Sequence, residues 1–311
     1  MIFKIALISV AVLLLAAVPG YIMMKKRMIG EECISGFSKV LLYVCQPCLA
    51  VYTFTSSSLS KEKLIEVGTF ALLSVAIFVI VLGAAYLILH RRFVQPIFRI
   101  ITIATAFSNC AFFGIPIIEA LLPESASELI IFTTVFAVVM NIIGWTLGAA
   151  IISGDTKYIS AKKIFLNPAV IGMAAALVIF VFSIPIEGDL QSMIVTTGRM
   201  CTPLSMLIMG MRLATMEFKL LWSDAKVYAT IAVKQIGMPL VGFLLVYFLP
   251  VSPDIKQTFF IICACPVASV VLNFAETVGE GQREAAKMLL LGTLLSIVTL
   301  PPMMLLLPLL G

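Results

Sequence analysis

Charge is scarce in this chain. Asp, Glu, Lys and Arg make up only 12% of its 311 residues, and 61% are hydrophobic; a soluble domain of this size carries roughly 25% charged residues. The mean hydropathy of +1.14 excludes a conventional solvated surface in the same way. Histidine is nearly absent. His90 is the only one, and it stands beside Arg91 and Arg92 in a loop, where a lone His reads as solvated. A Ser–His–Asp set would have to use it, and no H-E-x-x-H motif or paired carboxylates occur inside the apolar runs. Catalysis therefore lacks residues to carry it, and the chain is not expected to be an enzyme. The phosphate loop G-x-x-x-x-G-K-[ST] is missing too, which argues against an ATP-driven pump within this chain. No segment is long and polar enough to form a separate soluble domain.

The cysteines are not a framework either. Seven of them (33, 45, 48, 110, 201, 263, 265) fall mostly in apolar runs. Cys45-Gln46-Pro47-Cys48 has C-x-x-C spacing but no second pair of ligands, so these thiols read as small buried hydrophobes rather than a redox or zinc site. No metal site is expected.

What the chain does have is long apolar runs. A membrane-spanning helix needs about 20 mostly apolar residues, and ten runs qualify, at about 2–23, 36–57, 64–89, 98–121, 127–151, 166–184, 193–214, 226–249, 256–279 and 285–309. The first could be mistaken for a signal peptide. Its basic cluster Lys25-Lys26-Arg27 follows the apolar run, which suits a retained helix. The net charge of +5 carries no implication of nucleic-acid binding, because the cations lie in loops between spans, where they act as topology signals.

Those cations are unevenly distributed. Lys25, Lys26, Arg27, Lys39, Arg91, Arg92, Arg99, Lys157, Lys162, Lys163, Arg212, Lys219, Lys226, Arg283 and Lys287 follow or flank the odd-numbered spans; only Lys4, Lys61, Lys63 and Lys256 fall on the other side. The positive-inside rule then places both termini outside the cell. Ten spans divide into five plus five: residues 1–153, a short cytoplasmic connection at 154–163, and residues 164–311. With an odd number of spans per half, the second half enters the membrane inverted. Cys45-Gln46-Pro47 in span two echoes Cys201-Thr202-Pro203 in span seven.

Spans four and nine carry the most specific signal. Asn109 stands seven residues before Pro116, and Pro266 stands seven before Asn273. Proline removes a donor and clashes with the preceding turn, so both spans are expected to break, near Gly114–Pro116 and Cys265–Pro266. Matched broken helices point to the binding site of a secondary transporter, and the half-helix N-termini favour an anion. Each Asn amide needs a partner in hydrocarbon, whether protein, water or substrate. The candidate crossover site is thus Asn109, Gly114, Pro116, Pro266 and Asn273. Gln46, Pro47, Thr202 and Pro203 are candidates for lining the path, and Asn141 reads as structural. Lys234, two turns into span eight, either snorkels to the surface or faces the crossover as a fixed positive charge. Glu119 is the candidate titratable group if protons are coupled, or else an exposed carboxylate at the end of its span. Arg199 reads as an interfacial anchor.

The run Ser108-Asn109-Cys110-Ala111-Phe112-Phe113-Gly114-Ile115-Pro116 resembles the span-four signature of the auxin efflux carrier family, including its bacterial malonate- and malate-type members. Gln46-Pro47, Thr202-Pro203-Leu204-Ser205 with Gly210 and Leu213-Ala214, and Cys265-Pro266 with Ala268 extend the likeness over nearly the whole chain. The resemblance implies an all-α membrane protein of ten helices in two inverted five-helix repeats, similar to bile-acid symporters and sodium–proton antiporters, with helices four and nine crossing. It implies an elevator-like motion of spans three, four, five, eight, nine and ten against a scaffold of one, two, six and seven. The connection near 154–163 lacks the long loop of plant members, which makes auxin itself a poor expectation as substrate. The expected function is secondary transport of a small organic anion across a bacterial cytoplasmic membrane, with H+ or Na+ as possible coupling ion. The partners are that anion and the bilayer, with a homodimer possible. A sodium-coupled symporter for sterol-like anions and a membrane sensor that binds without transporting are the alternatives.

Overall fold

The computed structural model describes residues 1–55, 60–154, 168–182, 184 and 186–311. Among them every extended element is helical: α1 (Ile2–Lys25), α2 (Glu32–Phe54), α3 (Lys61–Arg92), α4 (Pro96–Ala104), α5 (Cys110–Leu121), α6 (Ala126–Ser153), α7 (Pro168–Val181), α8 (Gly188–Arg199), α9 (Cys201–Thr215), α10 (Ala225–Tyr247), α11 (Pro253–Ala264), α12 (Val270–Val278) and α13 (Gln282–Leu310). Six of these, α1, α2, α3, α6, α10 and α13, are long and apolar enough to cross a membrane. The expected fourth, seventh and ninth spans are each two shorter helices in line along the chain: α4 with α5, α8 with α9, and α11 with α12. The expected connection at 154–163 lies outside the described residues apart from Gly154, whose positive φ of 70° ends α6.

Prolines determine where these helices widen or bend. A proline ring clashes with the carbonyl four residues earlier and offers no N–H to it. Pro47, Pro116 and Pro239 each follow a wide π turn, at Leu41–Cys45, Cys110–Gly114 and Val233–Gly237 respectively. The carbonyl each ring would strike (Tyr43, Phe112, Gln235) lies inside that wider turn, so the helix continues instead of breaking. Pro203 acts differently: the chain bends at Met200, between α8 and α9.

Two kinds of contact hold the bundle. Glycines let backbones touch, as small residues do in membrane helix pairs. Gly210 of α9 lies against Ala17 of α1, and Gly20 of α1 against Leu207 of α9. Gly172 of α7 and Gly198 of α8 meet the backbone of α2 at Pro47 and Leu49. Aromatic side chains fill the other side: Phe70 of α3 stacks on Phe132 of α6 at 4.7 Å and meets Phe259 of α11 edge-on at 5.6 Å. Between α2 and α9 on one side and α5 and α6 on the other lies a separate apolar cluster that includes Leu41, Cys45, Phe112, Ile115, Ile130 and Ile208.

A Cβ added at Gly210 would stand 1.8 Å from the Ala17 carbonyl oxygen, whereas one at Gly36 meets nothing within 4 Å. Gly210→Val therefore costs at least about 1–3 kcal/mol through overpacking. Thermal unfolding in detergent should show a lowered midpoint for it and no loss for Gly36→Ala.

Candidate functional site

The site is built on the two breaks. α4 ends at Ala104 and α5 begins at Cys110; α11 ends at Ala264 and α12 begins at Val270. The unwound segments 105–109 and 265–269 pair with each other as a short antiparallel bridge between Ser108 and Val267. The Asn109 N–H donates to the Pro266 carbonyl at 2.8 Å, and the Ala268 N–H donates to the Phe107 carbonyl at 2.9 Å. Unpaired backbone groups at this depth would each cost several kcal/mol, so each break satisfies the other.

The position of the first break corrects the expectation. It lies at 105–109, upstream of Gly114–Pro116, and Pro116 sits inside a helix that the π turn keeps continuous. Gly114 serves the crossing instead: a Cβ there would stand 3.3 Å from Cys265 Sγ. The second break falls at Cys265–Pro266 as expected, where Cys265 turns to an extended φ/ψ of −61° and 151°.

A cavity of about 770 Å3 opens onto this crossing. Its wall includes Ser108, Asn109, Cys110 and Ala111 at the start of α5, and Ala268, Ser269, Val270 and Asn273 at the start of α12. The first N–H groups of any helix lack intrahelical acceptors, so both half-helices direct donors and a partial positive charge at the same space. Asn109 is 6% exposed, and among the described residues its side-chain amide has no hydrogen-bond partner. A recess of about 40 Å3 between Asn109, Asn273, Ser205 and Ser269 extends the cavity toward α9. Gln46 and Asn141 also line the main cavity. Asn141 keeps a structural bond as well, its Nδ2 donating to the Ala137 carbonyl at 2.8 Å.

Other expected residues lie elsewhere. Pro47 packs under Gly172, and neither Thr202 nor Pro203 borders the cavity. Glu119 is exposed near the end of α5, away from the cavity. Lys234 does not snorkel. It is fully buried, and its Nζ donates to the Cys263 carbonyl at 2.8 Å and the Cys265 carbonyl at 2.9 Å. These are orphan acceptors at the C-terminal end of α11, where partial negative charge attracts a cation. Its neighbour Gln235 donates to the Gly292 carbonyl at 2.6 Å and accepts from the Thr299 hydroxyl, tying α10 to α13. The end of α4 needs no such help, because Ala106 and Phe107 both turn back onto the Ile103 carbonyl.

Several cavity residues escaped the sequence reading. Ser269 and Glu276 lie one turn before and after Asn273 on the same face of α12, a spacing that could have identified them. Arg212 was counted only as a topology signal. Its Nη1 holds Glu276 Oε1 at 2.8 Å, linking α9 to α12 across the cavity wall. Tyr43 became a lining residue only through packing.

The two cations should differ sharply when removed. Lys234→Met leaves two buried carbonyls without a donor, at about 1–3 kcal/mol each. Arg212→Met breaks a partly exposed pair worth about 0–1 kcal/mol. Unfolding midpoints measured side by side should fall markedly for the first and little for the second; equal losses would contradict the capping role of Lys234.

No curated protein sequence matches the chain. The family described as membrane transport protein matches residues 5–304, nearly the whole length. Helices that cross at paired breaks beside a polar cavity, and a family match spanning both breaks, lead to one conclusion: the chain belongs to the membrane transport protein family, the auxin-efflux-carrier type that its span-four motif resembles.

Proposed function

We propose that the protein is a secondary transporter of small organic anions, a dicarboxylate being the first candidate, in the cytoplasmic membrane of a bacterium. One observation carries this reading: the N-terminal ends of α5 and α12 converge on one cavity, with Asn109 and Asn273 beside them. Helix N-termini recognise carboxylates through backbone donors and the helix dipole, and carboxamides supply further donors that orient the ligand.

Transport follows by alternating access. The chain crosses the membrane ten times as two inverted repeats, with both termini outside. The cavity is lined by Glu31, Lys39 and Arg212, on the side to which the excess of Lys and Arg assigns the cytoplasm, so this conformation faces inward. The apolar cluster of Leu41, Phe112, Ile115 and Ile208 closes the opposite side. Such a surface has few polar bonds to break as α3–α6 and α10–α13 slide against α1, α2 and α7–α9. Polar contacts that do cross include the hydroxyls of Thr53 and Thr134, 3.2 Å apart, and the Arg212–Glu276 pair at 2.8 Å.

Lys234 bears on the coupling ion. Half-helix C-terminal ends are where coupling cations bind in carriers of this architecture, and at α11 an ammonium already occupies that end. Sodium is then unnecessary there. The gradient that drives transport is that of the substrate or of protons.

Uptake of radiolabelled dicarboxylates into proteoliposomes tests the reading. The wild type should accumulate substrate, and replacing Na+ by choline on both sides should leave the rate unchanged. Asn109→Ala and Asn273→Ala should each lower uptake about tenfold or more, the worth of a hydrogen bond to a charged group of about 1.5–3 kcal/mol. Saturable binding without flux would indicate a sensor. An absolute Na+ requirement would sink the tethered-cation argument but leave the carrier intact.

A further inference from the structure

Apart from the crossover, a groove of about 390 Å3 lies between α3, α4 and α10. Its walls are almost entirely apolar. The two hydroxyls along it are already committed, Thr105 to the Thr102 carbonyl at 2.9 Å and Thr230 to the Lys226 carbonyl at 2.7 Å. Small residues Ala84, Ala85, Ala229 and Gly237 keep it open. From Lys226 to Val241 it follows sixteen residues of α10, about 22 Å at a rise of about 1.5 Å per residue. That exceeds one leaflet's share, about 15 Å, of a hydrocarbon core of about 30 Å. A polar metabolite would find nothing to bond here; a hydrocarbon chain would lose nothing.

One end of the groove differs from the rest. Lys226 Nζ lies 5.1 Å from the centre of the Phe98 ring, and Arg92 Cζ lies 5.5 Å from the same centre. Two exposed cations thus share one aromatic ring at the mouth, on the side of the chain that also carries Arg91. Among the described residues neither has an ion-pair partner. The nearby carboxylate of Asp224 caps α10, accepting from the Lys226 backbone N–H at 2.9 Å. Like charges drawn to one place without an acid call for an anion from outside the chain, and an apolar groove leading away from them calls for a hydrocarbon tail on that anion.

We propose that this groove binds an anionic diacyl phospholipid, with its phosphate between Arg92 and Lys226 and one acyl chain along α10. Basic pockets between membrane helices hold anionic headgroups in this way. The lipid would bind α3, α4 and α10, away from the crossover cavity, so the proposal stands independently of the transported substrate.

The test is thermal unfolding of the purified chain in a neutral detergent, titrated with phosphatidylglycerol, with phosphatidylcholine, or with glycerol 3-phosphate. Phosphatidylglycerol should raise the midpoint well above the effect of phosphatidylcholine, and glycerol 3-phosphate should do nothing. In the Arg92→Gln, Lys226→Gln double variant the concentration giving half the shift should rise about 25-fold, about fivefold per cation. Gly237→Leu retains both cations and obstructs the groove; an added Cβ there meets only Val233 Cγ1, at 3.8 Å, so folding is spared. It should weaken phosphatidylglycerol's effect as well. A shift of equal size with phosphatidylcholine, one that survives the double variant, or one reproduced by glycerol 3-phosphate would overturn the proposal.

Discussion

The structure depends on one constraint: unwound backbone inside a bilayer must find its hydrogen bonds within the protein. Two helices are interrupted, and the interruption of each supplies the donors and acceptors the other lacks, through Asn109 N–H to Pro266 and Ala268 N–H to Phe107. Because the pairing is antiparallel, α5 and α12 present their N-terminal ends to one cavity. Neither break would be tolerable alone. The cavity and the crossing are therefore consequences of a single arrangement.

The pairing leaves helix C-terminal ends to be satisfied, and the two broken segments do so unequally. α4 ends by folding its own chain back onto Ile103. α11 relies on the ammonium of Lys234, delivered from a neighbouring helix. Burying a charge at this depth costs at least ~2.5 kcal/mol, which two charge-assisted hydrogen bonds and the negative end of a helix can offset. The π turn at Val233–Gly237 has a part in this, since it places Lys234 against α11 while Gln235 reaches α13. A residue that looks anomalous in an apolar run thus becomes the capping group of another helix.

Prolines and glycines divide the remaining work. Each proline that follows a π turn is accommodated within a continuing helix, and Pro203 follows the turn at Met200 that separates α8 from α9. Glycines at 20, 172, 198 and 210 bring α1, α2, α7, α8 and α9 into backbone contact. Against α5 and α6 these helices pack through an apolar cluster that includes Leu41, Phe112, Ile115 and Ile208. Backbone contact among these helices thus contrasts with the side-chain packing they make with α5 and α6.

Much of this was legible from residue types. Apolar length identified the long helices, because hydrocarbon thickness imposes it. Asn109 and Asn273 stood out because carboxamides are costly in hydrocarbon unless something binds them, and both line the cavity. The break in the second half was legible for the same kind of reason, since Pro266 has no alternative there. The first break was misplaced, because a proline reports only that a turn must change; a π turn satisfied Pro116 locally and left the interruption to Ser108 and Asn109, where a partner strand was available. That partner belongs to a segment more than 150 residues away, so nothing local could announce it. The sequence by itself determined that the chain must lie in a membrane as helices with two weak points, since composition and proline chemistry act locally. Which carbonyls Lys234 caps, which serines and acids meet at the cavity, and where the first helix opens were decided only by tertiary structure, because each is a hydrogen bond between residues that the chain alone does not bring together.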